Sequence, residues 1–282
     1  MKQALPEAPD SGVHYDIPPE IFQRLLDRNM NYSCGRYPSG DEDLDTAQIC
    51  KMDGIVAATG IQAGARVLDI GCGWGGPALY LAERHGCHVT GINLSPVQRD
   101  HARAWARQRG LTDRVRIEVC DVLEMPFEDG SFDHILFLES IIHMEEKEQI
   151  FARCHRLLRP GGSVFIQESC YDRQSRAAGY RDDAGFREVD AAFGYTATMV
   201  SGAEMLRLLE EAGLAPMRME NISADYRRTL AQWLQRLDRF REEMNAISRE
   251  AWWMLRRYLM IALATYRSGN TLCHQITARK NP

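Results

Sequence analysis

The 282-residue chain carries 34 Lys and Arg against 39 Asp and Glu, a net charge of −5, with 45% hydrophobic and 26% charged residues. This balance gives no basic footprint for nucleic acid or an anionic membrane surface, and no apolar run approaches the ~20 residues that span a bilayer. Eight cysteines, scattered with no C-x-x-C pair, argue against zinc or a disulfide scaffold and point to a reducing cytoplasm.

Residues 1–13, with Pro6, Glu7, Pro9 and Asp10, read as loose and lack the apolar core of a signal peptide. Pro18-Pro19 can start a helix with Ile21, Phe22, Leu25 and Leu26 on its apolar face, and Tyr32-Ser33-Cys34-Gly35 breaks it. Asp45 to Met52 reads as a second helix leading into the first strand. That strand, Val67-Leu68-Asp69-Ile70, runs into Gly71-Cys72-Gly73-Trp74-Gly75-Gly76 and then a helix ending at Gly86. The glycines allow a sharp turn and a ligand lying against the main chain. Their spacing is G-x-G-x-G-G, not the dinucleotide G-x-G-x-x-G. Asp69 is placed to hold an ammonium group, or its water, across the turn.

The second strand, Cys87 to Leu94, is followed by Ser95-Pro96, which cap and start a helix to about Arg109. Asn93 stands where many nucleoside-binding proteins end this strand in an acid for the ribose hydroxyls. Gln98, one turn on, can also bond a hydroxyl. Val115 to Val119 is a third strand, leading to Asp121-Val122. The fourth, Phe132 to Leu138, delivers Glu139-Ser140-Ile141-Ile142-His143-Met144 to the carboxyl edge of the sheet, where open α/β sheets bind ligands. A helix over 145–158, stopped by Arg159-Pro160-Gly161-Gly162, leads into a fifth strand over 163–168. Residues 169–200 read as an insertion covering the substrate. A capping box at Ser201–Glu204 opens a helix to Gly213. A strand around 217–220, helices over roughly 225–246 and 248–267, and a last strand over 273–278 follow.

These units predict an α/β, Rossmann-like, doubly wound and mostly parallel seven-stranded sheet with an antiparallel final strand. An N-terminal helical segment and a helical substrate cover are added to it. The expected divisions are 1–55, closing over the cofactor; 56–168, the cofactor-binding core; 169–270, insertion and cover with one sheet strand; and 271–282, last strand and tail.

The glycine turn resembles the cofactor loop of class I S-adenosylmethionine-dependent methyltransferases. H-Y-D at 14–16, Y-S-C at 32–34, A-Q-x-x-K at 47–51, L-D-I-G-C-G-W-G at 68–75 and N-L-S-x-x-Q at 93–98 together resemble the cyclopropane fatty acid and mycolic acid synthase family. The Tyr226…Thr229-Leu230…Trp233 pattern and Gly269…Lys280 extend the likeness over nearly the whole chain from His14. The resemblance implies S-adenosylmethionine as cofactor and S-adenosylhomocysteine as product. It implies cofactor contacts at Tyr32, Ser33, Asp69, Gly71, Cys72, Gly73, Gly75, Asn93, Leu94, Gln98, Asp121, Val122 and Glu139. Cys34, His143 and Tyr226 match three positions at which the cyclopropane synthases hold a bicarbonate. A Glu and a His of that site are Ile142 and Gln167 here, and Asp121-Val122 replaces their usual Gly-Trp. These departures lean toward small-metabolite methyltransferases without bound bicarbonate.

Methyl transfer from a sulfonium needs an acceptor held at near-attack distance and a group that takes one proton, with no metal required. Candidate catalytic residues are His143, Glu168, Tyr226 and Glu139. Cys34, Tyr171, Tyr195 and Trp233 are candidate substrate contacts, in a cover also rich in Tyr180, Trp252, Trp253, Tyr258 and Tyr266 that can stabilise a cation. Arg176, Arg181 and Arg187 are candidates for an anionic tail. The expected reaction is C-methylation of an alkene-bearing, isoprenoid-like small molecule. O- or N-methylation of a natural product, a cyclopropane-forming lipid methyltransferase, and a non-catalytic cofactor-binding protein remain open. A homodimer is allowed, and the glycine spacing disfavours a dehydrogenase.

Overall fold

The computed structural model describes residues 17–177, 179, 184, 187 and 198–282. Helix α1 spans Pro19–Leu25, with Pro in its first turn and Ile21, Phe22 and Leu25 inward. Beyond it the buried Asp27 carboxylate accepts the N–H groups of Asn29 at 3.0 Å and Asn31 at 2.7 Å, fixing the turn that follows. Helix α2, Leu44–Thr59, is capped by Asp43, whose side chain accepts from the Thr46 N–H, and stops at left-handed Gly60.

The alternation then produces β1 (Arg66–Ile70), α3 (Gly76–His85), β2 (His88–Asn93), α4 (Pro96–Gln108), β3 (Val115–Val119), β4 (Phe132–Leu138) and α5 (Lys147–Leu157). Strand β5 (Leu158–Tyr171), α6 (Gly202–Glu211), β6 (Leu214–Asn221), α7 (Ser223–Arg239), α8 (Arg241–Ser268) and β7 (Thr271–Lys280) complete it. Ser95 caps α4 and Ser201 caps α6 through their side chains. The seven strands lie in the order β3-β2-β1-β4-β5-β7-β6, parallel from β3 to β5. Strand β7 enters antiparallel between β5 and β6, the doubly wound sheet with an antiparallel last strand that the sequence predicts.

Several boundaries differ from expectation, and β5 starts at Leu158, taking in the Arg159-Pro160-Gly161-Gly162 stretch expected as a turn. Strand β5 extends to Tyr171 because β7 pairs with it from Ser163↔Arg279 to Tyr171↔Thr271. The helices expected over 225–246 and 248–267 break instead at Phe240, while the expected boundary persists as a kink at Ser248 (φ −156°, ψ 109°) within α8. The break at Phe240 is stabilised by Trp252, whose indole N–H donates to the Leu237 carbonyl at 2.9 Å. That carbonyl is among the last of α7, which have no partner within the helix.

Among the described residues the apolar interior falls into three large clusters and one small one. One joins α2, α3 and α4 to β1 and β2, and another joins α5 and α6 to β4, β5 and β7. The third packs α1, α7 and α8 around Trp233, Trp252, Tyr226 and Tyr266 and includes Trp74 of the glycine turn. The helical cover therefore rests directly on the carboxyl edge of the sheet. Among the described residues no helix is long and apolar enough to cross a membrane.

Candidate active site

The glycine turn leaves β1 and folds back over β2, with the Gly71 and Cys72 N–H groups both donating to the Ile92 carbonyl. Gly71 has φ +75°, and a Cβ there would overlap the Ser140 side chain, whose hydroxyl donates to the Ile70 carbonyl at 2.5 Å. A Cβ on Gly76 would overlap the Asn29 carbonyl. Glycine therefore lets the segment after α1, residues 27–36, lie against the turn.

Around this turn several buried polar atoms have no partner among the described residues: Asp69 Oδ2, Asn93 Oδ1, Gln48 Oε1 and the Tyr32 hydroxyl. Asn93 is oriented by its own amide, which donates to the Gly73 carbonyl at 3.1 Å. Asp69 is 1% exposed, and burial pushes its carboxyl up to about 7, with Lys51 pulling the other way. Two acceptors near a phenol, and an amide oxygen over the turn, fit the amino-acid end and the ribose of S-adenosylmethionine. Gln98 is buried at the start of α4, and Leu94 is exposed. Asp121 is exposed past β3, its Oδ1 accepting from the Leu123 N–H at 2.8 Å, with Val122 half-buried beside it.

Glu139 ends β4 in a left-handed conformation, φ +60°, rare for a residue with a side chain and costing ~1–3 kcal/mol. The strain turns its carboxylate into a ring of donors. Oε1 accepts from the Cys34 N–H at 2.7 Å and the Gln167 amide at 2.9 Å, and Oε2 from the Tyr226 hydroxyl at 2.5 Å. Gln167 is itself held by the Gln275 amide, which donates to it at 2.8 Å. Burial raises the Glu139 pKa, and the Tyr226, Cys34 and Gln167 bonds draw it back. Cys34 contributes its backbone: its thiol is buried, donates to the Gly35 carbonyl at 3.1 Å and is pushed up by desolvation. Tyr226 lies 4.6 Å from Tyr266 and 6.4 Å from Trp233, ring to ring, and Trp233 lies 5.3 Å from Tyr32. Burial and the charges of Glu139 and Glu168 hold the Tyr258 phenol well above its ordinary range.

Glu168, 2% exposed, accepts backbone N–H groups on both oxygens, from Ile142 at 3.1 Å and Ser169 at 2.8 Å. Burial first and the Glu139 charge second push it up to about 8. It thereby latches the single turn Ile141–His143, on which His143 is exposed. Lys147 closes the same turn from α5, donating its ammonium to the Met144 carbonyl. Tyr171 is buried in a small cluster with Ala177 and Met199, against Ile142. Arg176 pairs with Asp172 at 3.8 Å, and Arg187 is exposed. Tyr180, Arg181 and Tyr195 lie outside the described residues.

The structure thus gathers Cys34, Glu139 and Tyr226, with Tyr32 and Trp233 beside them, at one point. It sets Glu168 behind the His143 turn. Gln48, Lys51 and Lys147 carry no site signal in the sequence beyond the A-Q-x-x-K pattern, which contains the first two.

A sheet of this strand order, with a glycine turn after β1 and uncommitted polar atoms around it, defines a class I S-adenosylmethionine-dependent methyltransferase. The chain belongs to the mycolic acid cyclopropane synthetase family, whose model matches residues 2–276. It is 32% identical over 249 residues to methyltransferase GfsG of Streptomyces halstedii, covering 86% of this chain and 87% of that one. It is 31% identical over 239 residues to 27-O-demethylrifamycin SV methyltransferase of Amycolatopsis mediterranei, covering 84% and 85%. The mycolic acid cyclopropane synthase CmaA1, solved with S-adenosylhomocysteine and CTAB, superposes with a TM-score of 0.87 at 21% identity over 97% of this chain and 99% of that one. The protein is an enzyme, and S-adenosylmethionine is its cofactor.

Proposed function

We propose that the enzyme methylates an alkene carbon of a small, isoprenoid-like acceptor, with Glu139 as the base. The observation that carries this reading is the Glu139 carboxylate, fixed by Tyr226, Gln167 and the Cys34 N–H under an aromatic roof. Three donors that suit an external anion such as bicarbonate are already filled by this side chain. The family's description, a cyclopropane synthetase, adds weight to an alkene acceptor.

S-adenosylmethionine supplies an electrophilic methyl group on a sulfonium. In this reading Asp69, Gln48, Tyr32 and Ser33 hold its amino-acid end, Asn93 and Gln98 its ribose, and Asp121 with Val122 its adenine. Segment 17–55 closes over it, and the cover, including Trp233 and Tyr171, encloses the acceptor. Attack of the alkene π pair on that methyl group would form the new C–C bond with loss of S-adenosylhomocysteine and leave a cation on the neighbouring acceptor carbon. The rings of Tyr226, Tyr266, Tyr32 and Trp233 can stabilise that cation by ~1–2 kcal/mol each in a desolvated site. Glu139 then takes the adjacent proton and restores a double bond. The three bonds to Glu139 favour its ionised form and oppose the upward push of burial.

A second reading, methylation of a hydroxyl, is favoured by the printed name of the rifamycin relative and by exposed His143 on the turn that Glu168 holds. The test is an assay with methyl-labelled S-adenosylmethionine against prenyl diphosphates, unsaturated lipids, phenols, alcohols and amines, with product NMR. Label on carbon supports the proposal. Label on oxygen or nitrogen overturns it and makes His143 the residue to pursue.

A further inference from the structure

Lys51, on α2, is fully buried. Its ammonium donates to the Ser33 hydroxyl at 2.9 Å and the Asn31 amide oxygen at 3.5 Å, two neutral partners for three N–H groups. Among the described residues no carboxylate lies within ion-pair distance of it; Asp27, Glu139 and Asp69 act on it from farther away. A buried charge normally has a direct counter-charge.

The neighbours of Lys51 sort by polarity. Ser33 accepts from Lys51 and so keeps its own proton to give, while its carbonyl is held by the Gln48 amide at 2.7 Å. The Tyr32 hydroxyl is buried without a partner among the described residues. These are donors. Asp69 Oδ2 and Gln48 Oε1, equally without partners, are acceptors. A site with a cluster of donors beside a cluster of acceptors matches a zwitterionic α-amino acid, which has one carboxylate and one ammonium.

We propose that Lys51 is a cofactor residue: its ammonium, with the Ser33 and Tyr32 hydroxyls, takes the α-carboxylate of S-adenosylmethionine, while Asp69 and Gln48 take the α-ammonium. This assignment is independent of which acceptor atom is methylated. It also explains why a lysine sits buried on α2 behind the segment that lies on the glycine turn.

The test compares, by titration calorimetry, S-adenosylhomocysteine with its decarboxylated analogue 5′-S-(3-aminopropyl)-5′-thioadenosine. Wild type is expected to prefer S-adenosylhomocysteine by about ten- to hundredfold, the worth of one or two charge-assisted bonds. Lys51→Met is expected to abolish that preference by weakening S-adenosylhomocysteine alone, and Lys51→Arg to restore part of it. If Lys51→Met weakens both ligands equally, or neither, Lys51 only braces residues 31–34 and the proposal falls. Should Lys51→Met fail to fold, Ser33→Ala must narrow the same preference, and an undiminished preference overturns the proposal.

Discussion

Tyr226→Phe removes a single oxygen, and the structure says which equilibrium it moves. The Tyr226 hydroxyl donates to Glu139 Oε2 at 2.5 Å and is the foremost of the bonds that lower the Glu139 pKa against burial. A hydrogen bond to a charged group is worth ~1.5–3 kcal/mol. Its loss lifts the Glu139 pKa further above the ordinary carboxylate range by the equivalent of that bond, while the Cys34 N–H and Gln167 bonds remain. A base works when ionised, so the acidic limb of the rate profile moves to higher pH by that amount, while the high-pH plateau and the affinity for S-adenosylhomocysteine hold. The assay is kcat against pH with saturating cofactor, beside a calorimetric titration. An unmoved acidic limb with reduced plateau turnover would refute the wiring of Tyr226 to the base.

Gly71→Ala combines φ +75° with overlap on Ser140, whereas Gly73→Ala has φ +52° and open space. Thermal melts should therefore show a loss of ~2–4 kcal/mol for the first and ~1–2 kcal/mol for the second. Asp121→Ala should weaken S-adenosylhomocysteine about tenfold in calorimetry with little change in melting temperature, because among the described residues the exposed carboxylate holds only the Leu123 N–H. Glu168, raised from 4.5 to about 8, keeps a proton in the folded state that the unfolded chain has released. Folding stability should accordingly fall as pH rises from about 4.5 to about 8. Melting temperatures across that range should show the slope, and Glu168→Gln should flatten it; an identical slope in the variant would remove Glu168 as its source.

The sheet was legible because its parallel strands are short, largely apolar runs, the first closed by Gly71 and the second by the helix cap Ser95. The glycine turn also marked the place of the cofactor. The geometry around Glu139 was not legible. Its donors come from positions 34, 167 and 226, brought together only by the fold. One of them is a backbone N–H that no side-chain identity announces, and the left-handed backbone that aims the carboxylate falls on a residue other than glycine. Lys51 was hidden for a related reason: a lysine on a helix reads as solvent-facing, and only three-dimensional packing buries it beneath Ser33. The break at Phe240 depends on Trp252, fifteen residues away along the chain from the carbonyl it satisfies.

The most direct test of the account is the turnover of Glu139→Gln and His143→Ala, measured side by side on the acceptor that the labelling assay identifies. The account predicts that Glu139→Gln loses ~10²–10⁴-fold in kcat, the usual worth of a general base, while binding S-adenosylhomocysteine normally, and that His143→Ala retains most of its turnover. Full activity in Glu139→Gln with collapse in His143→Ala would contradict it.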